Sequence, residues 1–241
     1  MQTLSEVRAA IAADPLLRTL AERVAPRLGD DPGHDLEHAL RVALWTVRIG
    51  ERAQEKVDRR EAIAAALLHD AVNLAKDDPR RAEASALSGA LALRWLTDLG
   101  VDDQSAARIA AAVRTHSFSR GEVPESALGD ALQDADRLEA LGVLGVFRTI
   151  STGTRMGGRY FDPGDPWAKR RALDDRRNAI DHFFVKLLGL PATMRTAVGR
   201  AEGLRRAGFM EVMLGQLGEE LGVPYPGPGL SSETDPESGD V

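Results

Sequence analysis

A chain of 241 residues with 43% hydrophobic residues and no cysteine can bury a full core, has no disulfides or thiolate-bound zinc, and must hold any metal through nitrogen and oxygen. Its formal net charge of -6 argues against bulk binding to DNA or RNA, whose affinity comes mainly from neutralised phosphates. The first 13 residues lack a basic n-region and an apolar h-region, and no run of about 18 apolar residues occurs, so a cytoplasmic protein with no membrane partner is expected.

Alanine, leucine, arginine and glutamate dominate, and β-branched alternation is scarce, so the expected fold class is all-α: a compact helical bundle with a helical C-terminal extension. Taken along the chain, the periodicity predicts helices over 3–13, 15–28, 35–54, 58–69, 85–99, 102–115, 125–149, 174–188 and 192–215, with a last one over 214–221. Two connections look functional because of their length: 73–84, polar and charged, and 151–171, which carries four glycines and two prolines. Residues 1–221 read as one domain, and 222–241, rich in Pro, Gly, Ser and acids, read as a disordered tail.

Two imidazoles and two carboxylates stand out in this frame. His69 and Asp70 close the small-residue run Glu61-Ala-Ile-Ala-Ala-Ala-Leu-Leu68; His38 precedes them, and Asp136 follows. On a regular helix of about 100° per residue, His38 shares a face with Val42, Trp45 and Ile49, so it should point into the core. The same count separates Asp134 from Asp136 by about 200°. Asp136 then falls with Leu132, Ala140, Val143 and Phe147 and is expected to be the inward carboxylate. An inward carboxylate among apolar neighbours is costly unless it is paired or coordinated. Mixed imidazole and carboxylate donors suit manganese or iron better than magnesium, with cobalt and nickel also compatible.

The ordered set His38-x-x-Arg41-Val42, Ala65-Ala-Leu-Leu-His69-Asp70 and Asp134-Ala-Asp136-Arg-Leu-Glu139-Ala resembles the HD superfamily of metal-dependent phosphohydrolases. A closer resemblance, to the small stand-alone bacterial branch typified by YedJ, runs through His34-Asp35-x-x-His38, Asn73-x-x-Lys76-x-x-Pro79-x-Arg81, His116-Ser-Phe-Ser119 and Asp181-His-Phe-x-x-Lys186. It implies an HD core over about 30–150 and an extension over 172–221. It also implies His38, His69, Asp70 and Asp136 as ligands of a divalent metal (Mn, Fe or Mg, with Co or Ni as further options).

By the same resemblance the activity is hydrolysis of a phosphate ester or phosphoanhydride of a small molecule, a nucleotide first, without a covalent intermediate. Asp70 would be ligand and water orienter; His116 would protonate a leaving oxygen or steady a nonbridging one; His34, Lys76, Arg81, His116 and Lys186 would contact substrate. Asp35 reads equally as a residue that holds an imidazole tautomer or as a helix N-cap. Lys186 reads as a contact or as a brace, and Arg155 and Arg159 as a lid or as exposed surface. Asn73 and Leu74 stand where guanosine tetraphosphate hydrolases of the superfamily carry two acids, and Gly-Tyr-Pro is absent, which points away from the tetraphosphate and cyclic-dinucleotide branches. The alternatives are a diiron oxygenase, for which only His34, His116 and His182 offer further imidazoles, and a nucleotide sensor without turnover. The sequence does not decide the oligomeric state.

Overall fold

The computed structural model describes residues 1–29, 33, 35–74, 78, 80–117 and 121–227. His34, Lys76 and Arg120, and residues 228–241 of the expected tail, lie outside the described residues. The fold is all-α: no strand occurs among the described residues, only one isolated bridge between Arg159 and Asn178. No described helix is long and apolar enough to cross a membrane. The described residues divide into two compact units, one within 1–140 and 191–204, the other within 141–190 and 205–227.

The first unit holds α1 (Leu4–Ala13), α2 (Pro15–Val24), α3 (Leu36–Gly50), α4 (Arg59–Leu68), α5 (Ala84–Asp98), α6 (Asp103–Thr115) and α7 (Ala127–Leu138). Local chemistry starts these helices. Thr3, Asp14, Asp35, Asp58, Asp102 and Ser126 each accept a backbone N–H of the first turn, satisfying donors that have no intrahelical partner.

At the centre lies α4, packed against α2, α3, α5, α6 and α7. Every residue from Ala62 to Leu68 is at most 1% exposed, and a helix apolar all round belongs inside a core. Its alanines let neighbouring backbones come close. Small residues serve the same end where α5 meets α6: a Cβ on Gly89 would stand 2.9 Å from Arg114 Cβ and 3.0 Å from the Ala110 carbonyl oxygen.

Four expectations need correction. The helix predicted over 125–149 is two helices, α7 and α8 (Gly142–Arg155), because the chain turns at Gly142 with φ of +72°, a region costly for any residue with a Cβ. The turn takes Val143 and Phe147 off the Asp136 face, and both are exposed. The helix predicted over 174–188 shrinks to α9 (Asp181–Val185), and the two at the end are one continuous α10 (Ala197–Leu221).

Within the second unit the segment 151–171 is held by its own contacts. Residues 151–155 finish α8, and Trp167 is fully buried, donates from Nε1 to the Val223 carbonyl at 2.8 Å and packs on Phe184 and Tyr225. The buried Asp181 carboxylate takes both Arg171 Nη atoms and the Asp174 N–H. Asp162 and Asp165 accept backbone N–H groups of the same segment. Residues 222–227, assigned by composition to the tail, are thus partly held by Trp167.

These packings predict opposite signs for one kind of substitution. Ala normally stabilises a helix interior over Gly by about 1 kcal/mol. At Gly208 of α10 a Cβ meets nothing within 4 Å, so Gly208→Ala should raise Tm by about 2–4 °C. At Gly89 overpacking of about 1–3 kcal/mol outweighs that gain, so Gly89→Ala should lower Tm in a thermal unfolding scan.

Candidate active site

Three helices of the first unit finish at one place. His69 caps the C-terminus of α4, His116 that of α6, and α7 brings Asp136 in its last turn with Glu139 as its C-cap. Helix C-termini carry partial negative charge, so their meeting favours a cation. His38 arrives from the first turn of α3, and Asp70 follows His69 directly.

The imidazoles are aimed by what their outer nitrogens touch. His69 Nδ1 lies 2.7 Å from the Ala66 carbonyl and His116 Nδ1 lies 2.7 Å from the Val113 carbonyl. A carbonyl oxygen only accepts, so both Nδ1 atoms carry the proton and each Nε2 keeps its lone pair when the ring is neutral. His38 Nδ1 faces Glu139 Oε2 at 3.4 Å. The inner atoms gather: His38 Nε2 to His69 Nε2 3.2 Å, His38 Nε2 to Asp136 Oδ1 3.4 Å, His69 Nε2 to Asp70 Oδ2 3.4 Å. Asp70 presents its other oxygen to His116 Nε2 at 3.6 Å.

These separations fit donors of a common ion. Two atoms each about 2.1 Å from a metal lie about 3.0 Å apart at a right angle and about 3.4 Å apart at a tetrahedral one. His38, His69 and Asp136 form one such group and His69, Asp70 and His116 another. The cluster is rich in carboxylates: Asp70 and Asp136 face the imidazoles, and Glu139 pairs with the Arg41 guanidinium at 2.7 Å.

The protonation pattern is uneven. Burial pushes the His38 imidazole down, but Asp136, Glu139 and Asp70 override it and raise its pKa to about 9. His69 goes the other way, to about 4, through burial and the two neighbouring imidazoles, against the pull of Asp70 and Asp136. Burial alone would raise the Asp136 carboxyl; His38, His69 and His116 hold it well below the usual carboxylate range. His116 is raised in spite of burial, chiefly by Asp70.

Of the residues singled out in the sequence, the structure brings together His38, His69, Asp70, His116 and Asp136. His34 and Lys76 lie outside the described residues. Arg81 is exposed and donates to the Leu74 carbonyl at 3.1 Å. Lys186 is the C-cap of α9 in the second unit, its backbone N–H on the His182 carbonyl. Asp35 is the N-cap of α3, 2.8 Å from the His38 backbone N–H.

Sequence reasoning missed the groups that brace the cluster. Glu139, 1% exposed, stands one turn after Asp136, and that spacing was the available signal. Arg27 Nε donates to the Ala71 carbonyl at 2.8 Å, and Ser88 Oγ accepts the Val72 N–H at 3.0 Å, fixing the chain just after Asp70. Nothing in the sequence separates these two from other polar residues. Asp134, expected to face away, is fully buried as well: its carboxylate accepts the Arg195 and Thr196 N–H groups and the Thr196 hydroxyl, because residues 191–204 cover that face of α7.

Comparison with known proteins gives consistent results. Residues 35–141 match the HD domain family model. The chain is 32% identical over 210 residues to the uncharacterized protein YpgQ of Bacillus subtilis strain 168, covering 85% of this chain and 90% of that one. The crystal structure of YpgQ in complex with ADP superposes with a TM-score of 0.66 at 30% identity, covering 87% of this chain and 95% of that one. A structure of an HD-superfamily hydrolase from Bacillus thuringiensis gives a TM-score of 0.64 at 28% identity over 91% of this chain and 99% of that one.

The raised His38 pKa sets the sign of a pH effect. Its proton stabilises the metal-free fold fully below about pH 6.5 and this contribution is lost as pH rises through about 9. An ion must displace that proton. Manganese affinity should therefore climb from pH 6 to pH 8, with about one proton released per ion at pH 7, read by calorimetry in buffers of different ionisation heat.

Proposed function

This chain belongs to the HD-domain family, and from that premise we propose that it is a metal-dependent phosphohydrolase acting in the cytoplasm on a small phosphorylated molecule, most readily a nucleotide. The observation that carries the reading is the convergence of His38, His69, Asp70 and Asp136, with the His69 ring tied at Nδ1 so that Nε2 faces the other donors. These four would hold the divalent ion, manganese or iron by preference. When bound, such an ion polarises a phosphoryl oxygen and brings the pKa of water toward neutrality.

The chain's own residues supply the rest. Asp70, with one oxygen toward His69 and the other toward His116, orients the attacking water. His116 holds a proton at Nε2 beside Asp70 and delivers it to the leaving oxygen. On the resemblance alone, His34, Lys76 and Arg81 would contact the phosphates of the substrate. The complex of the relative YpgQ with ADP supports a nucleoside phosphate as the ligand class.

The test is release of phosphate and pyrophosphate from ribo- and deoxyribonucleotides by metal-stripped protein resupplied with manganese. Product that needs the metal, and that disappears in Asp136→Ala with helical content unchanged, is the expected result. Full turnover in Asp136→Ala would overturn the assignment. Two irons per chain with oxygen uptake would replace it by the diiron oxygenase reading, which the second group around His116 makes worth the measurement.

A further inference from the structure

We infer that Glu139 and Arg41 are positioning residues that set the orientation and donor strength of the His38 imidazole; the inference rests on the metal-binding reading above. Helices α3 and α7 face each other through four side chains, each pair one turn apart: His38 and Arg41 on α3, Asp136 and Glu139 on α7. Asp136 Oδ1 lies 3.4 Å from His38 Nε2, and Glu139 Oε2 lies 3.4 Å from His38 Nδ1. One helix thus grips both nitrogens of one ring.

The same Glu139 oxygen accepts Arg41 Nε at 2.7 Å. Glu139 is 1% exposed, and a buried carboxylate without partners is strongly unfavourable. Arg41 compensates it and holds it in place, while the arginine itself reaches solvent along part of its length.

His69 and His116 need no such helper, because each hands its Nδ1 proton to a carbonyl of its own helix end. His38 sits in the first turn of α3, and the carbonyls left unpaired in a helix are at the other end. Its outer nitrogen requires an acceptor from elsewhere, and α7 supplies a charged one. A carboxylate on Nδ1–H fixes the tautomer, turns the ring and makes Nε2 a stronger donor.

The test reads manganese binding, by calorimetry and by electron paramagnetic resonance of free ion, with thermal unfolding of each metal-free variant. Glu139→Gln keeps the volume and removes the charge; its affinity should fall about 10–100-fold. Arg41→Gln leaves Glu139 less firmly held and should lose affinity in the same direction by a smaller factor, which keeps the inference testable if Glu139→Gln folds poorly. Asp134→Asn, a buried carboxylate on the opposite face of α7, is the structural control: it should lower Tm with affinity within about twofold of the wild type.

Wild-type affinity in both Glu139→Gln and Arg41→Gln would overturn the inference while leaving the metal site standing. Equal losses of affinity in Asp134→Asn and Glu139→Gln would overturn it too, since general loosening would then explain both. No binding by the wild type, or undiminished binding by Asp136→Ala, would remove the reading underneath and this inference with it.

Discussion

The arrangement depends on a hydrogen bond made twice: an imidazole at the end of a helix donating Nδ1–H to the carbonyl three residues back. His69 does this to Ala66 and His116 to Val113. Helix ends leave carbonyls short of intrahelical partners, and each ring adds a bond to one of the last turn, beside the long 3.5 Å backbone bond that Val113 also takes from His116. In return the carbonyl selects the tautomer and turns Nε2 toward the centre. Both rings are buried, which is tolerable because every polar atom has somewhere to go.

That geometry works only if α4, α6 and α7 can end close together. The alanine run of α4 permits it, because neighbouring helices meet near-backbone surface instead of long side chains. Asp134 and Asp136 of α7 show the same economy on opposite faces. Asp136 joins the cluster, while Asp134 anchors the backbone of residues 195 and 196, where a Cβ on Gly199 would collide with its carboxylate. One helix therefore ties the cluster to the start of α10.

Much of this was legible in the sequence, for reasons that can be named. Helical periodicity and Asp, Ser or Thr caps located α1 to α6 within a few residues, and the same periodicity sent His38 inward. The α7–α8 junction was misread because Val143 and Phe147 continue the apolar stripe past the turn; Gly142 was the only warning, and a glycine does not announce its φ. Asp134 looked outward because periodicity reports which residues share a face, and α7 turned out to be covered on two. Four ligand candidates and His116 could be picked from their order along the chain. Glu139 could not be given a role that way, since its partner His38 is distant in sequence and only the pairing of α3 with α7 brings them together.

The carbonyl-bound histidines have a consequence for motion. Helix ends are where a fold opens first, at low free-energy cost. Here the final turns of α4 and α6 cannot fray without letting go of the rings that point to the centre. Whatever grips those rings from the inside restrains two helix ends at once, along with the last turn of α7 through Asp136. Occupancy of the cluster and closure of the helix termini are then coupled through the Nδ1–carbonyl bonds of His69 and His116.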